Sequence, residues 1–110
     1  MTSSLSGKTA IITGGSTELA GAVALALAQA GVNVSLCGRQ ADLLAISVDK
    51  IKQTGGKAFF IESSLGSLEE AQVVVNQTLS TYGGLDILTL ISPFWSGGMI
   101  HNHSVKTWDL

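Results

Sequence analysis

Thr9-Ala10-Ile11-Ile12-Thr13-Gly14-Gly15-Ser16-Thr17-Glu18-Leu19-Ala20 is the stretch on which the fold of this 110-residue chain turns. Residues 9–13 form a short apolar, β-branched run that stops at a glycine pair, as a strand covered on both faces does. Over residues 18–30, Leu19, Val23, Leu27 and Ala30 recur at helical spacing. Ser16 or Thr17 can cap the start of that helix, and Gly31 supplies its stop. A strand that runs through glycines straight into a helix leaves the helix's unpaired N–H groups at the strand end, a natural seat for an anionic group.

The same alternation continues outward. Residues 32–37 read as a second strand ending at Gly38-Arg39. Residues 42–54 read as a helix with Leu44, Val48 and Ile51 on one face and Lys50 and Lys52 near the end that favours cations. Gly55-Gly56 terminates it, residues 57–62 form a third strand, and Ser67 with Glu70 makes a capping box. In the helix that follows, Leu68, Ala71, Val75 and Leu79 are expected to line the buried face, with Gly83-Gly84 ending it. Residues 85–91 are a fourth strand, closed by Pro93. The βαβαβαβ order predicts a partial α/β fold, a doubly wound parallel sheet of about four strands in the order 3-2-1-4. Residues 104–110 read as a helix only just begun, so residues 1–110 are expected to be the N-terminal part of a single domain cut short at its C-terminal side.

Composition narrows the function classes. Apolar residues make up 45% of the chain and charged residues 13%, with 13 glycines and one proline, as in a well-packed α/β protein. Six basic residues stand against eight acidic ones, a net charge of −2, so no positive field exists for nucleic acid or an anionic membrane surface. The longest apolar stretch, residues 20–28, is half the roughly 20 residues a membrane-spanning helix needs. No export signal opens the chain, and a cytoplasmic protein is expected. Cys37 is the only cysteine, which excludes an internal disulfide and fits a buried, inert thiol.

The glycine turn after the first strand, Gly38-Arg39 after the second, and Tyr82-Gly83-Gly84-Leu85-Asp86-Ile87-Leu88 together resemble the short-chain dehydrogenase/reductase family. The resemblance spans the chain. It implies a Rossmann-like dinucleotide-binding domain, a nicotinamide dinucleotide as cofactor and a small-molecule substrate. The implied activity is an oxidoreductase that reduces a carbonyl or oxidises an alcohol, with a homo-oligomer as the state of the complete protein. By position it assigns cofactor contacts to Gly14, Ser16, Thr17 and Leu19 in the glycine turn, to Arg39, to Ser64 and Leu65 after the third strand, and to Ser92 after the fourth. Arg39 resembles the arginine that receives the 2′-phosphate, and no acid stands at Gly38 to hold a 2′-hydroxyl, so NADP is expected over NAD.

Three departures bear on that binding. The family pattern of Thr-Gly, three residues, Gly, one residue, Gly is met by Thr13-Gly14, but its later glycines are Glu18 and Ala20. Glu18 has two readings: a carboxylate that fills the phosphate seat at the helix end, or a solvated first-turn acid that only favours the helix dipole. Where the family places an Asp before an apolar residue, this chain has Ser64-Leu65, whose Leu65 amide is expected to stay available. Where the family has Asn-Asn-Ala-Gly, the segment is Leu90-Ile91-Ser92-Pro93.

The catalytic part of the family's pattern is missing. Tyr82 is the only tyrosine, and the residue four positions on is Asp86 instead of lysine, so no catalytic residue is assigned. Asp86 reads as a structural helper at a strand start. His101-Asn102-His103 lacks a third ligand and reads as solvated, giving no metal site. Trp95 and Trp108 read as a cleft wall or as packing against further chain. Three functions follow: the cofactor portion of an NADP-preferring oxidoreductase, a catalytically silent nucleotide-binding or regulatory module, and a scaffold or oligomer subunit.

Overall fold

The computed structural model describes residues 5–91. They form β1 (Thr9–Ile12), α1 (Glu18–Gln29), β2 (Asn33–Gly38), α2 (Ala41–Gln53), β3 (Ala58–Glu62), α3 (Leu68–Tyr82) and β4 (Ile87–Thr89). The four strands are parallel in the order β3-β2-β1-β4, which is the order expected from the alternation of elements. Ser92 and Pro93 lie outside the described residues, as do Trp95, His101, Asn102, His103, Trp108 and the helix expected over residues 104–110. No helix among the described residues is long and apolar enough to cross a membrane.

The period-2 alternation of the strands sorts the core into two layers. Ala10 and Ile12 of β1, with Val34 and Leu36 of β2, face α1 and α2 and pack on Ala20, Ala24, Leu44, Val48 and Ile51. On the other side Ile11, Cys37 and Ile61 pack with Val74 of α3. Both faces of the central strands are therefore dry, which is why those segments read as continuous apolar runs. Burial, with a smaller push from the Glu70 carboxylate, raises the Cys37 thiol to about 11, so Cys37 is inert at neutral pH.

The buried face of α2 is the expected one, Leu44, Val48 and Ile51. Two helices are rotated from expectation. In α1 the residues against the sheet are Ala20, Ala24 and Ala28, while Leu19 is 63% exposed and Val23 and Leu27 pack only at the margins of the core. The short glycine turn brings α1 close onto the sheet, and a stripe of alanines is what that separation accommodates. In α3 the buried residues are Val74 and Thr78, with Leu68 72% and Leu79 41% exposed. The apolar residues of this helix spread over a wide arc, from Val74 round to Leu79, so periodicity fixes its rotation only loosely. A buried polar pair decides it: the Thr78 hydroxyl is bonded to Ser35 Oγ at 2.9 Å and to the Val74 carbonyl at 2.8 Å. Two hydroxyls in a dry layer must be paired, and any other rotation strands Ser35.

The opposite end of the sheet is tied by Asp86 and Tyr82. The Thr9 amide donates to Asp86 Oδ2 at 2.9 Å and the Asp86 amide to the Thr9 carbonyl at 2.9 Å, so Asp86 aligns β4 with β1 as a structural helper. Gly83, at φ +83°, reverses the chain after α3. Tyr82 lies against Phe59 with ring centroids 5.4 Å apart, and its hydroxyl donates to the Val34 carbonyl at 2.8 Å. Burial pushes the Tyr82 phenol up to about 12. Because the folded chain holds this proton more tightly than the unfolded one, the contribution is complete below pH 10 and is lost as pH rises through 12. Tyr82→Phe is expected to cost about 1 kcal/mol at neutral pH. It is also expected to flatten the stability decline above pH 10 in denaturant titrations.

Candidate functional site

At the carboxyl ends of the strands three turns converge: Gly14–Thr17 after β1, Arg39–Gln40 after β2, and Ser63–Ser67 after β3. The first is shaped by close approaches that exclude side chains. Gly14 sits at φ +67°, and a Cβ there would overlap the carbonyl oxygen of Ile91. Gly15 donates its amide to the Cys37 carbonyl at 2.7 Å, and a Cβ on it would come within 2.8 Å of Leu44. The turn is thus wedged between β2 and the end of β4. Thr13 completes the join, its amide donating to the Thr89 carbonyl at 3.0 Å and its Oγ1 accepting from Ile91 N at 3.3 Å.

Thr17 is the N-cap of α1: its Oγ1 accepts from Ala20 N at 3.1 Å and donates to the Gly14 carbonyl at 3.0 Å. Ser16 Oγ accepts from Gln40 N at 3.0 Å, tying the first turn to the second. Both side chains expected to meet a cofactor therefore hold the chain to itself. The amides of Ser16, Glu18 and Leu19 are different, since none has an acceptor among the described residues. They stand at the positive end of a 12-residue helix.

The two substituted glycine positions have separate fates. Ala20 is fully buried in the core between α1 and the sheet, so its extra carbon fills the interior and leaves the turn's outer side clear. Glu18 is exposed and accepts no hydrogen bond within the described residues, because Thr17 has already capped the helix.

The packing at Gly38 explains why no acid ends β2. A Cβ at Gly38 would lie 2.9 Å from Ser16 N and 2.7 Å from Ser16 Oγ, so the site has no room for one. The next residue, Arg39, is exposed and lines a groove of about 330 Å³ with Glu62, Ser63, Ser64 and Glu70. No hydrogen bond or ion pair engages it among the described residues. A second groove of about 320 Å³, by Phe59 and the exposed side of α3, carries no charged lining residue.

The third turn differs from expectation. Leu65 takes φ +53°, a left-handed conformation uncommon outside glycine and asparagine, and its amide donates to Ser63 Oγ at 3.1 Å. That amide, expected to be available, is engaged. The Ser64 hydroxyl donates to Glu70 Oε2 at 2.9 Å, and Gly66 N donates to the same oxygen at 2.6 Å. Ser67 caps α3 through Glu70 N as predicted, but the Glu70 carboxylate fastens the preceding loop instead of returning to the cap. Glu62 and Glu70 are the site residues that sequence reasoning missed. Nothing local marks Glu62, whereas Glu70 was visible only as a capping partner. No cluster of metal-ligating side chains exists among the described residues. Gly14→Ala is expected to lower unfolding stability by at least about 2 kcal/mol, readable in thermal or denaturant melts, because it adds a left-handed penalty to a backbone clash.

The geometry meets its relatives here. The short chain dehydrogenase family model matches residues 8–109. A short chain dehydrogenase of Pseudocercospora fijiensis is 39% identical over 88 residues, covering 80% of this chain and 28% of that protein. The crystal structure of L-sorbose reductase from Gluconobacter frateurii, complexed with NADPH and L-sorbose, is similar at TM-score 0.79 and 29% identity, over 99% of this chain and 42% of that one. A metagenomic short-chain oxidoreductase in complex with NADP gives 0.77 at 30% identity, over 97% and 49%. The chain spans less than half the length of each of these relatives. Matched by the family model over almost all of its residues, and folded in the same strand order that its sequence predicts, the chain belongs to the short chain dehydrogenase family.

Proposed function

We propose that this chain is the cofactor-binding portion of an NADP-preferring oxidoreductase that reduces a carbonyl or oxidises an alcohol. The observation that carries the proposal is the pairing of two uncommitted features at one end of the sheet. Three amides without acceptors among the described residues stand at the start of α1, and Arg39, unpaired among the described residues, stands one residue beyond a glycine that cannot become an acid. These residues fit a dinucleotide: amides at a helix start suit a pyrophosphate, and a planar guanidinium suits a phosphate monoester. Two structural relatives carry NADP or NADPH in their complexes, which supports the same class of ligand here.

When bound, the nicotinamide supplies or accepts a hydride. In this reading the chain's own residues position that cofactor. Gly14 keeps the turn thin enough for a phosphate to approach the backbone, and Ser16 and Thr17 hold the turn and helix start in place. Leu19, exposed in the first turn of α1, offers an apolar surface beside the phosphates. Ser64 and Leu65 border the groove from the β3 side, and Ser92, outside the described residues, stands after β4 by sequence. No catalytic residue is assigned within residues 5–91.

Glu18 supports the runner-up, a catalytically silent nucleotide-binding or regulatory protein, since an uncommitted carboxylate next to the free amides opposes a pyrophosphate. Calorimetric titration with NADPH and NADH separates these roles. Arg39→Ser is expected to weaken NADPH binding by roughly tenfold to a hundredfold while leaving NADH nearly unchanged, because only NADPH carries the 2′-phosphate. Glu18→Gln is expected to tighten both cofactors by similar factors, of order tenfold, because both carry the pyrophosphate. Binding of neither cofactor to the full-length protein would remove the oxidoreductase reading.

A further inference from the structure

Glu62 is the last residue of β3 and pairs in register with Gly38, the last residue of β2. Its Oε2 accepts from Ala41 N, the first residue of α2, at 3.3 Å. That helix has Gln40 at its N-cap, with no side-chain cap of its own, so the neighbouring strand supplies the acceptor that the local sequence lacks. On the opposite side Gln40 N donates to Ser16 Oγ at 3.0 Å, and below it Ser63 N donates to the Gly38 carbonyl at 2.7 Å. The backbone that begins at Arg39 is thus clamped from the turn after β1 and from β3, on successive amides. The Arg39 side chain, with no partner among the described residues, lines a groove that it shares with the carboxylates of Glu62 and Glu70.

The two acids are not equivalent. Glu70 is committed, with one oxygen accepting from both Ser64 Oγ and Gly66 N. Glu62 makes one longer bond, to Ala41 N, and is exposed. It therefore does two things of opposite sign for a phosphate arriving at Arg39: it fixes the turn that presents the guanidinium, and it places a negative charge beside the incoming dianion. It also occupies an amide at the start of α2 that could otherwise face the phosphate.

From this arrangement we infer that Glu62 is a positioning and specificity-determining residue, whose charge limits how strongly the Arg39 groove prefers a phosphate-bearing adenosine over one without the phosphate. This rests on the reading of the groove as the adenosine end of a dinucleotide site. It predicts a cofactor preference smaller than Arg39 alone would give, adjustable at one residue that never needs to touch the ligand.

The test separates charge from structure by comparing Glu62→Gln with Glu62→Ala in the full chain. The probes are adenosine 2′,5′-bisphosphate, AMP, NADPH and NADH, with affinities read by calorimetry and folding by thermal melts. Glu62→Gln keeps an oxygen that can accept from Ala41 N and removes the charge. It is expected to tighten the bisphosphate and NADPH by about fivefold at low salt, to leave AMP and NADH within about twofold, and to lose most of the gain near 0.5 M salt. Glu62→Ala is expected to lower the melting temperature because it also removes the cap. A melting temperature unchanged in Glu62→Gln with no selective gain for the phosphate-bearing probes overturns the inference and leaves the cofactor site standing. Binding of none of the four probes to the wild-type chain overturns the site itself, and the inference with it.

Discussion

The structure depends on how closely the Gly14-Gly15 backbone passes its neighbours at the end of β1. On one side Gly15 is hydrogen-bonded to the Cys37 carbonyl and confronts the side chains of Leu36 and Leu44. On the other, Gly14 lies against the Ile91 carbonyl. Side chains have no room in either place. The chain can therefore leave the sheet and enter α1 within a few residues, and α1 must then sit close to the sheet. The alanine stripe Ala20, Ala24, Ala28 follows from that separation, as does the location of the helix's positive end at the carboxyl edge of the strands.

From the same constraint comes a division of labour among polar groups. Ser16, Thr17, Ser64, Glu62 and Glu70, all polar side chains at the rim, spend their hydrogen bonds within the chain. Left without partners among the described residues are the backbone N–H groups at the start of α1, the Arg39 guanidinium and the Glu18 carboxylate. Backbone donors held by a helix need little reorganisation when a ligand arrives, and the side chains that would have been flexible ligands serve as struts. A dinucleotide site built this way, as proposed, would be preorganised, and charges beside the ligand would alter its selectivity without contacting it.

The two ends of the sheet are built for different purposes. At the amino ends, Asp86 and Tyr82 close the backbone's remaining polar groups, and the raised phenol of Tyr82 reflects a proton held in a partly dry setting. At the carboxyl ends, donors and a cation remain open. The open end carries the candidate chemistry, as expected for a parallel sheet whose connections alternate between faces on either side of the β1–β4 junction.

The sequence alone determined the order and type of every element among the described residues, because glycines punctuate each helix end there and the strands carry uninterrupted apolar runs. It also determined the parallel order 3-2-1-4, the buried face of α2 and the position of Arg39, which are set by residues near one another in the chain or by the handedness of crossovers; Asp86 was legible as a strand-start helper, though its partner Thr9 lies 77 residues away. Tertiary structure decided the rest. The rotation of α3 was settled by a hydroxyl pair between Ser35 and Thr78, and that of α1 by its distance from the sheet, neither of which an apolar count can register. Glu62 reached Ala41 across 21 residues and Ser16 reached Gln40 across 24, while Leu65 adopted a left-handed turn that its side chain alone disfavours. Such partners are invisible in a one-dimensional reading because short polar side chains take whichever donor the packed strands bring within 3 Å or so, and only the assembled sheet decides which donor that is.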